Sequence, residues 1–187
     1  MDYQNREIAS AQAFAANFEN VDRRTLEREF DRIIAAHGAA LSRLASGYTN
    51  TLSDRDDLLQ DISIAIWLAL PGFRGDCSER TFVFRIAHNR AITHLSRNRA
   101  HRPAPEQPEP RDPSPGPEAG LEQEQRAAAL RSAIRQLPLL YRQPVTLLLE
   151  GLSYSEIGEV LGISEANVGA RLTRGRQMLR NQLETLG

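Results

Sequence analysis

Apolar residues recur three or four positions apart along most of the chain, a spacing that predicts helices. No segment shows a convincing alternation of apolar and polar residues, which would indicate a strand. The first regular stripe consists of Leu26, Phe30, Ile33, Ile34, Leu41 and Leu44. A short amphipathic helix is also predicted within residues 1–20. The pattern as a whole predicts an all-α fold.

A second helix is predicted after Ser53, a residue type that caps helix N-termini, and it ends at Pro71-Gly72. Its apolar stripe consists of Leu58, Leu59, Ile62, Ile66 and Leu70. After a loop, a third helix is predicted from about Glu79 to Asn98. These three helices would form one small bundle.

Seven of the ten prolines lie between Pro103 and Pro117, among several acidic residues. Such a segment cannot bury a core, so residues 103–120 are predicted to be an extended linker. The linker separates an N-terminal module, residues 25–102, from a C-terminal module, residues 121–187. Residues 1–24 form an N-terminal extension of unassigned role.

The C-terminal module is predicted to contain four helices, at 121–137, 139–149, 153–161 and 164–183, with Pro144 near the start of the second. Ser153 and Glu156 have the spacing of a capping box, in which each side chain bonds the other residue's backbone N–H. Gly162 stands where a left-handed turn is needed, and Ser164 can cap the next helix. Two short capped helices joined by a glycine turn predict a helix-turn-helix.

The last helix carries a polar stripe formed by Asn167, Arg171 and Arg174, with Arg176 beside it. Arginine presents a planar fork that suits guanine edges and phosphates, so this helix could lie in a DNA major groove. An ordinary solvated face is the alternative. The capping box, the glycine turn and the basic stripe together favour DNA binding.

Four acidic residues cluster at the start of the second predicted helix: Asp54, Asp56, Asp57 and Asp61. The simplest interpretation is compensation of the helix dipole, but that does not require Asp61 two turns into the helix. An acidic patch could also dock a basic partner, and the spacing alone leaves both readings open. No histidine lies at ligand spacing, so neither a metal site nor acid–base catalysis is expected.

The third predicted helix is basic and free of acids from Arg80 onwards. Its arginines are Arg80, Arg85, Arg90, Arg97, Arg99 and Arg102, and aromatic residues Phe73, Phe82 and Phe84 lie in or near its start. Arginines interleaved with aromatic rings suit single-stranded nucleic acid, although core packing is the alternative for Phe82 and Phe84. Its histidines, His88, His94 and His101, are expected at the surface.

Overall charge and composition exclude several further classes of protein function. The 187 residues carry 23 basic and 24 acidic groups. This balance excludes a protein whose whole surface is basic and binds nucleic acid, but it does not exclude a local basic patch. The single cysteine excludes an internal disulfide framework. No apolar run is long enough to cross a membrane, and the N-terminus is polar, so we expect a cytoplasmic protein without membrane insertion. No nucleophile–base set indicates an enzyme, and no cofactor is expected.

Two of these motifs resemble bacterial RNA polymerase sigma factors of the extracytoplasmic-function (ECF) class. The run from Asp56 to Ile62, with Trp67, the Phe73–Asp76 loop and the Arg80–Asn89 segment, is similar to sigma region 2. The segment from Gly151 to Arg180 is similar to region 4. Both motifs occur in the family's order, on either side of a linker.

The resemblance implies a role for each group of residues. Docking on core RNA polymerase, through its β′ and β subunits, would involve Asp57, Leu58, Gln60 and Asp61. Capture of the melted −10 promoter strand would involve Phe73, Arg74, Arg80, Phe82, Arg85, Asn89 and Arg97. Reading of the −35 promoter element would involve Ser164, Asn167, Arg171, Arg174 and Arg176. The family commonly pairs with an anti-sigma factor, and control by another route stays open.

The resulting hypothesis is a sigma factor that binds core polymerase, directs it to promoters and assists promoter opening. His88, Thr93, Gly169 and Ala170 depart from the family's usual residues, which affects single contacts rather than the class. The alternative is a stand-alone helix-turn-helix regulator with an N-terminal sensor or dimerisation domain. The acid-free arginine helix beside aromatic residues argues against that alternative, because a sensor domain does not need it.

Overall fold

A computed structural model describes residues 23–101 and 118–184. This part of the chain contains seven α-helices and no strand, which confirms the all-α prediction. The helices are α1 (Arg23–Ser46), α2 (Leu52–Ala69), α3 (Glu79–His101), α4 (Glu118–Gln136), α5 (Leu139–Leu149), α6 (Tyr154–Leu161) and α7 (Glu165–Glu184). A 3-10 turn, Leu70–Gly72, follows α2. The helix predicted within residues 1–20 lies outside the described residues.

Helices α1, α2 and α3 pack together as the N-terminal module. Each contributes apolar residues at helical spacing, and the fully buried ones include Ile33, Leu41, Leu44, Leu58, Ile62, Ile66, Val83 and Phe84. Phe30 meets Trp67 edge-on, with ring centroids 5.3 Å apart. Glu79 at the start of α3 also binds Arg32 and His37 of α1. The hydrogen bond from the Arg32 guanidinium lowers the pKa of Glu79.

The start of α2 differs from its prediction. Thr51, not Ser53, is the N-cap, because its side-chain oxygen accepts a hydrogen bond from the Asp54 backbone N–H at 3.1 Å. Ser53 therefore lies inside the first turn. At the other end, Leu70 begins a 3-10 turn that contains Pro71, so the helix tightens there before it stops.

Helices α4 to α7 form the C-terminal module. The capping box is confirmed: Glu156 N–H donates to Ser153 Oγ at 3.2 Å, and Ser153 N–H donates to the Glu156 carboxylate at 2.7 Å. Gly162 has the predicted left-handed conformation, with φ +67°. Val168 and Leu172 of α7 are buried against the preceding helices.

Two features of this module differ from the predictions: the start of α4 and the position of Pro144. Helix α4 begins at Glu118, so the last three residues assigned to the linker are helical, whereas residues 102–117 lie outside the described residues. Pro144 lies in the middle of α5 rather than near its start.

No helix of the described residues combines the length and the apolar character needed to cross a membrane.

The helix-turn-helix depends on a close contact at Gly158 in α6. A Cβ placed there would stand 2.8 Å from the backbone oxygen of Ile163, in the turn between α6 and α7. We expect Gly158→Ala to destabilise the protein by about 1–3 kcal/mol, because backbone must move to admit the methyl group. The measurement is the free energy of unfolding in urea.

Gly38→Ala is the matched control, since Gly38 lies in mid-helix and its added Cβ would meet only Ile34 Cγ2, at an ordinary 3.8 Å. Alanine has the higher helix propensity, so this control should leave stability equal or raise it by up to about 1 kcal/mol. An equal gain for both variants would contradict the tight contact at Gly158.

Candidate functional site

The predicted docking residues lie on α2, and they do not share one environment. Asp57 and Gln60 are exposed and Asp61 is partly exposed, so their polar groups can reach a partner. Leu58 is 0% exposed and belongs to the core between the helices. This corrects the prediction that Leu58 contacts the polymerase directly, because a side chain so buried supports the helix from beneath.

Two apolar residues extend the same face, and the sequence analysis did not include them. Ile64 and Leu68 are 50% and 43% exposed. With Asp57 and Asp61 they follow one another at steps of four, three and four residues, which places all four along one side of α2. We call Asp57, Gln60, Asp61, Ile64 and Leu68 the docking face. The sequence did contain a signal for this pair, because Ile64 and Leu68 are apolar residues of α2 that lie outside the apolar stripe predicted for the core.

Asp54 has a structural role that the dipole interpretation did not include. It accepts hydrogen bonds from Asn98 Nδ2 at 3.1 Å and pairs with His94 Nε2 at 2.6 Å, both on α3. These bonds tie the start of α2 to α3. His94 and His88 are buried, which corrects the expectation that they lie at the surface.

The predicted strand-capture residues surround the start of α3 and run along it. Phe73 and Phe82 stack on each other, with ring centroids 4.4 Å apart and planes 26° apart, and both are partly exposed. Arg74, Arg85 and Asn89 are exposed. We call Phe73, Arg74, Arg80, Phe82, Arg85, Asn89 and Arg97 the strand surface. For Phe84, core packing is the correct alternative, because it is 1% exposed.

Two arginines of the strand surface already have partners within the chain. Arg97 pairs with Asp61 at 3.5 Å, so a predicted DNA contact and a predicted docking contact meet between α3 and α2. Arg80 donates to the backbone oxygen of Glu150, at the end of α5, and lies over the Phe84 ring at 5.9 Å. The strand surface is therefore in contact with the C-terminal module.

The predicted recognition residues lie together on α7. Ser164 caps the helix by accepting the Asn167 N–H at 3.3 Å, and Arg171 Nε donates to Asn167 Oδ1 at 2.9 Å. Asn167, Arg174 and Arg176 are exposed. The opposite face of α7 is anchored by buried residues. The stripe therefore presents amide and guanidinium groups outwards from a helix held by its core.

The cavities and side-chain clusters of the described residues do not suggest a catalytic or metal site. A polar cavity of about 300 Å³ lies between the modules, lined by Asp76, Cys77, Ser78, Thr81, Arg85, Glu156 and Glu159. No group of three histidine, cysteine or carboxylate side chains in the described residues could hold a metal ion.

Comparisons with known proteins match both modules. The protein family described as "Sigma-70 region 2" matches residues 33–101, and the family described as "Sigma-70, region 4" matches residues 127–179. The ECF RNA polymerase sigma factor SigM of Mycobacterium tuberculosis is 30% identical over 155 residues, which cover 82% of this chain and 76% of SigM. This chain belongs to the ECF sigma factors.

Further relatives cover nearly the whole chain. The RNA polymerase sigma factor CnrH of Cupriavidus metallidurans is 30% identical over 188 residues, covering 95% of this chain and 93% of CnrH. The solved structure of CnrH with the cytosolic domain of CnrY matches with a TM-score of 0.63 and 28% identity, covering 92% and 95% of the two chains. The sigma factor RpoE of Bartonella quintana, solved with the anti-sigma factor NepR, supports the fold at a TM-score of 0.68 and 18% identity.

Membership of the ECF sigma factors decides the broad function. The protein binds core RNA polymerase and directs initiation at specific promoters, as predicted. A stand-alone regulator with a separate sensor domain is not favoured, because family matches cover the N-terminal module as well as the helix-turn-helix. Sigma factors are regulatory proteins rather than catalysts, which is consistent with the expectation that this one is not an enzyme.

His88 gives this ECF sigma factor a titratable group in its core. Burial lowers the pKa of His88 to about 4, and its Nδ1 has no hydrogen-bond partner among the described residues. The unfolded chain binds that proton near pH 6.5, so between about pH 6.5 and 4 it holds more protons than the folded protein. The contribution of neutral His88 is therefore complete above pH 6.5 and is lost as the pH falls.

We predict that His88→Leu removes this part of the pH dependence. Between pH 7.5 and 4.5, the free energy of unfolding of the wild type should fall by about 2–3 kcal/mol more than that of the variant. Urea titrations at a series of pH values measure the difference. Parallel curves for the two proteins would show that His88 titrates normally in the folded state.

Proposed function

We propose that the two modules divide promoter recognition between them. The N-terminal module, residues 25–102, docks on core polymerase and captures the melted −10 strand, whereas the C-terminal module, residues 121–187, reads the −35 element. One observation supports this most directly: a single three-helix body carries an acidic and apolar face on α2 and an arginine–aromatic surface on α3. The protein thereby assists promoter opening while bound to the polymerase.

The docking face combines charge with exposed apolar area. Asp57 and Asp61 would steer a basic polymerase surface, and Ile64 and Leu68 would supply the apolar contact that excludes water. Because Leu58 fills the core beneath them, α2 presents these side chains from a rigid support. Charge alone at an exposed site contributes little, so the apolar pair should carry much of the affinity.

The strand surface suits unstacked bases. The stacked rings of Phe73 and Phe82 offer a platform for a base, and Arg74 and Arg85 can reach phosphates. On α7, Asn167 and Arg171 present hydrogen-bonding groups to duplex DNA, and Arg174 and Arg176 extend the basic stripe. The hydrogen bond between Asn167 and Arg171 fixes the direction of both groups.

We further propose that an anti-sigma factor controls the protein, because the structurally similar sigma factor RpoE of Bartonella quintana was solved in complex with the anti-sigma factor NepR, and the relative CnrH was solved with the cytosolic domain of CnrY. The site of action would be the cytoplasm, where the polymerase is found. No chemical step is assigned to the protein itself.

Run-off transcription with purified core polymerase tests the division of roles. The template would be a promoter recovered by selecting random-sequence DNA with the holoenzyme. We expect Asp61→Arg to abolish initiation, because it places a like charge against a basic docking partner. Arg171→Ala should lower initiation by roughly tenfold to a hundredfold, which corresponds to the loss of one good base contact.

Two controls make this result specific. Asp31→Arg introduces the same charge change at an exposed position of α1 and should initiate normally. On a template with a scrambled −35 element and a pre-melted −10 region, Arg171→Ala should match the wild type. Full activity of Asp61→Arg, or equal loss by Arg171→Ala on both templates, would contradict the assignment.

The apolar pair gives a second prediction for docking. The double variant Ile64→Ser, Leu68→Ser should bind core polymerase at least about tenfold more weakly, because it loses the exposed apolar contact. Its free energy of unfolding should change little, since both side chains are already exposed in the free chain. Equilibrium binding of fluorescently labelled protein to core polymerase measures the affinity, and unchanged affinity would exclude these residues from the contact.

A further inference from the structure

The outermost line of α7, opposite the side that faces the core, carries no charge in its first nine residues. The buried residues of this helix, which mark the core side, are Val168, Leu172 and Gly175. Since an α-helix turns about 100° per residue, the opposite side carries Ala166, Ala170 and Thr173. All three residues are exposed. The groups that α7 extends furthest from the core are therefore three methyl groups and one hydroxyl.

The Thr173 hydroxyl is used within the helix itself. Thr173 Oγ1 lies 2.9 Å from the carbonyl oxygen of Gly169, one turn earlier, and donates its proton to it. Serine and threonine side chains inside helices commonly make this bond to the carbonyl four residues back. The methyl group is therefore the part of Thr173 that is left for a partner, as it is for Ala170.

Arginines lie on both sides of this outermost line rather than on it. Arg171 and Arg174 lie along one side, and Arg171 Nε donates to Asn167 Oδ1 at 2.9 Å, which holds the guanidinium on that side. Arg176 and Arg180 lie along the other side, and both are exposed. A helix in the major groove has a phosphate backbone on either side and base edges in front of it. The arrangement suits a helix whose methyl groups face the floor of the groove.

Methyl groups select for one base in the major groove. Thymine presents its C5-methyl group there, whereas adenine, guanine and cytosine present polar donors and acceptors. A protein methyl group placed against one of those polar atoms would displace water and leave the atom without a hydrogen bond, which is unfavourable. Alanine and threonine methyl groups instead make apolar contact with the thymine methyl group.

We infer that Ala170 and Thr173 determine the base preference of α7 by contacting thymine methyl groups in the −35 element. The inference deepens the proposed reading of that element and rests on it. From Ala166 to Thr173 the line is about 10 Å long at 1.5 Å per residue, and base pairs are about 3.4 Å apart, so it covers roughly three base pairs. Arg171 and Arg174 reach phosphates or base edges from the side.

Replacement of thymine by uracil tests the contact, because uracil forms the same base pair and lacks only the methyl group. The DNA would be the promoter selected by the holoenzyme, with a pre-melted −10 region. Each −35 thymine of either strand would be replaced in turn, and competition between duplexes for the holoenzyme would give their relative affinities. The wild type should lose roughly threefold to fourfold in affinity for at least one replacement, as expected for one buried methyl group.

Two variants remove the protein's side of the contact. Thr173→Ser deletes only the methyl group and keeps the hydroxyl that binds the Gly169 carbonyl. At the thymine that Thr173 contacts, this variant should reduce the effect of uracil to less than about 1.5-fold, as in a double-mutant cycle between the two methyl groups. Ala170→Gly should act in the same way at a neighbouring thymine. Each variant is compared with itself on two duplexes, so a general loss of affinity or of folded protein cancels.

The chain offers a matched control for each variant. Thr93 on α3 is exposed, and its Oγ1 donates to the carbonyl oxygen of Asn89 at 3.0 Å, so Thr93→Ser makes the same change in the same local setting. Ala36→Gly makes the alanine-to-glycine change at an exposed position of α1. Both controls should keep the wild-type ratio between the thymine and uracil duplexes.

The inference would be overturned by a selected −35 element that contains no thymine on either strand. Uracil replacements that all change affinity by less than about 1.5-fold would overturn it as well. So would a uracil effect that persists unchanged in both Thr173→Ser and Ala170→Gly.

Failure of the proposed function has a different signature. Scrambling the whole −35 element would then leave the affinity of the wild-type holoenzyme unchanged, and both the proposed reading and the base preference would be wrong. A scrambled element that lowers affinity, together with uracil replacements that do not, would contradict the methyl contact alone.

Discussion

The packing of α2 against α3 is the interaction on which every proposed surface of the N-terminal module depends. Apolar residues join the two helices along their length, and Asp54 adds hydrogen bonds to His94 and Asn98 at one end. Because the two helices are held in one register, the docking face and the strand surface keep a fixed relation. On the proposed assignment, a polymerase that binds α2 therefore also positions α3 for DNA.

The distribution of charge matters more here than its sum. The chain carries a net charge of −1, yet its charges are unevenly placed: acids cluster at the start of α2, whereas arginines dominate α3 after Glu79 and the exposed stripe of α7. Such a protein has little long-range attraction to DNA, and its basic groups act only when they are brought close. Complementary faces can also bind each other, which is how the two modules meet at Glu150.

Local sequence signals predicted the features that depend on neighbouring residues. The capping box, the left-handed Gly162 and the recognition stripe each need only residues a few positions apart, and the structure contains all three. The capping of α2 was harder, because Thr51 and Ser53 are both capable caps. The burial of Leu58 follows from its place in the core stripe, which the resemblance to a docking motif obscured.

Long-range contacts could not be predicted from spacing. His94 is buried because Asp54, 40 residues earlier, accepts its hydrogen bond. The partners of Glu150 are 70 and 107 residues away, and nothing in the surrounding sequence indicates either. Ile64 and Leu68 could have been found, since they lie outside the core stripe, but their exposure becomes clear only when the neighbouring helices are in place.

The contact between Arg80 and a main-chain oxygen has an evolutionary consequence. Any amino acid at position 150 offers the same carbonyl, so substitution there cannot delete that hydrogen bond outright. Selection could instead adjust the strength of the contact between the modules through the carboxylate and its partner Arg43, neither of which is assigned to DNA or polymerase. Related proteins could then differ in how firmly their modules pack together while keeping the same promoter-binding residues.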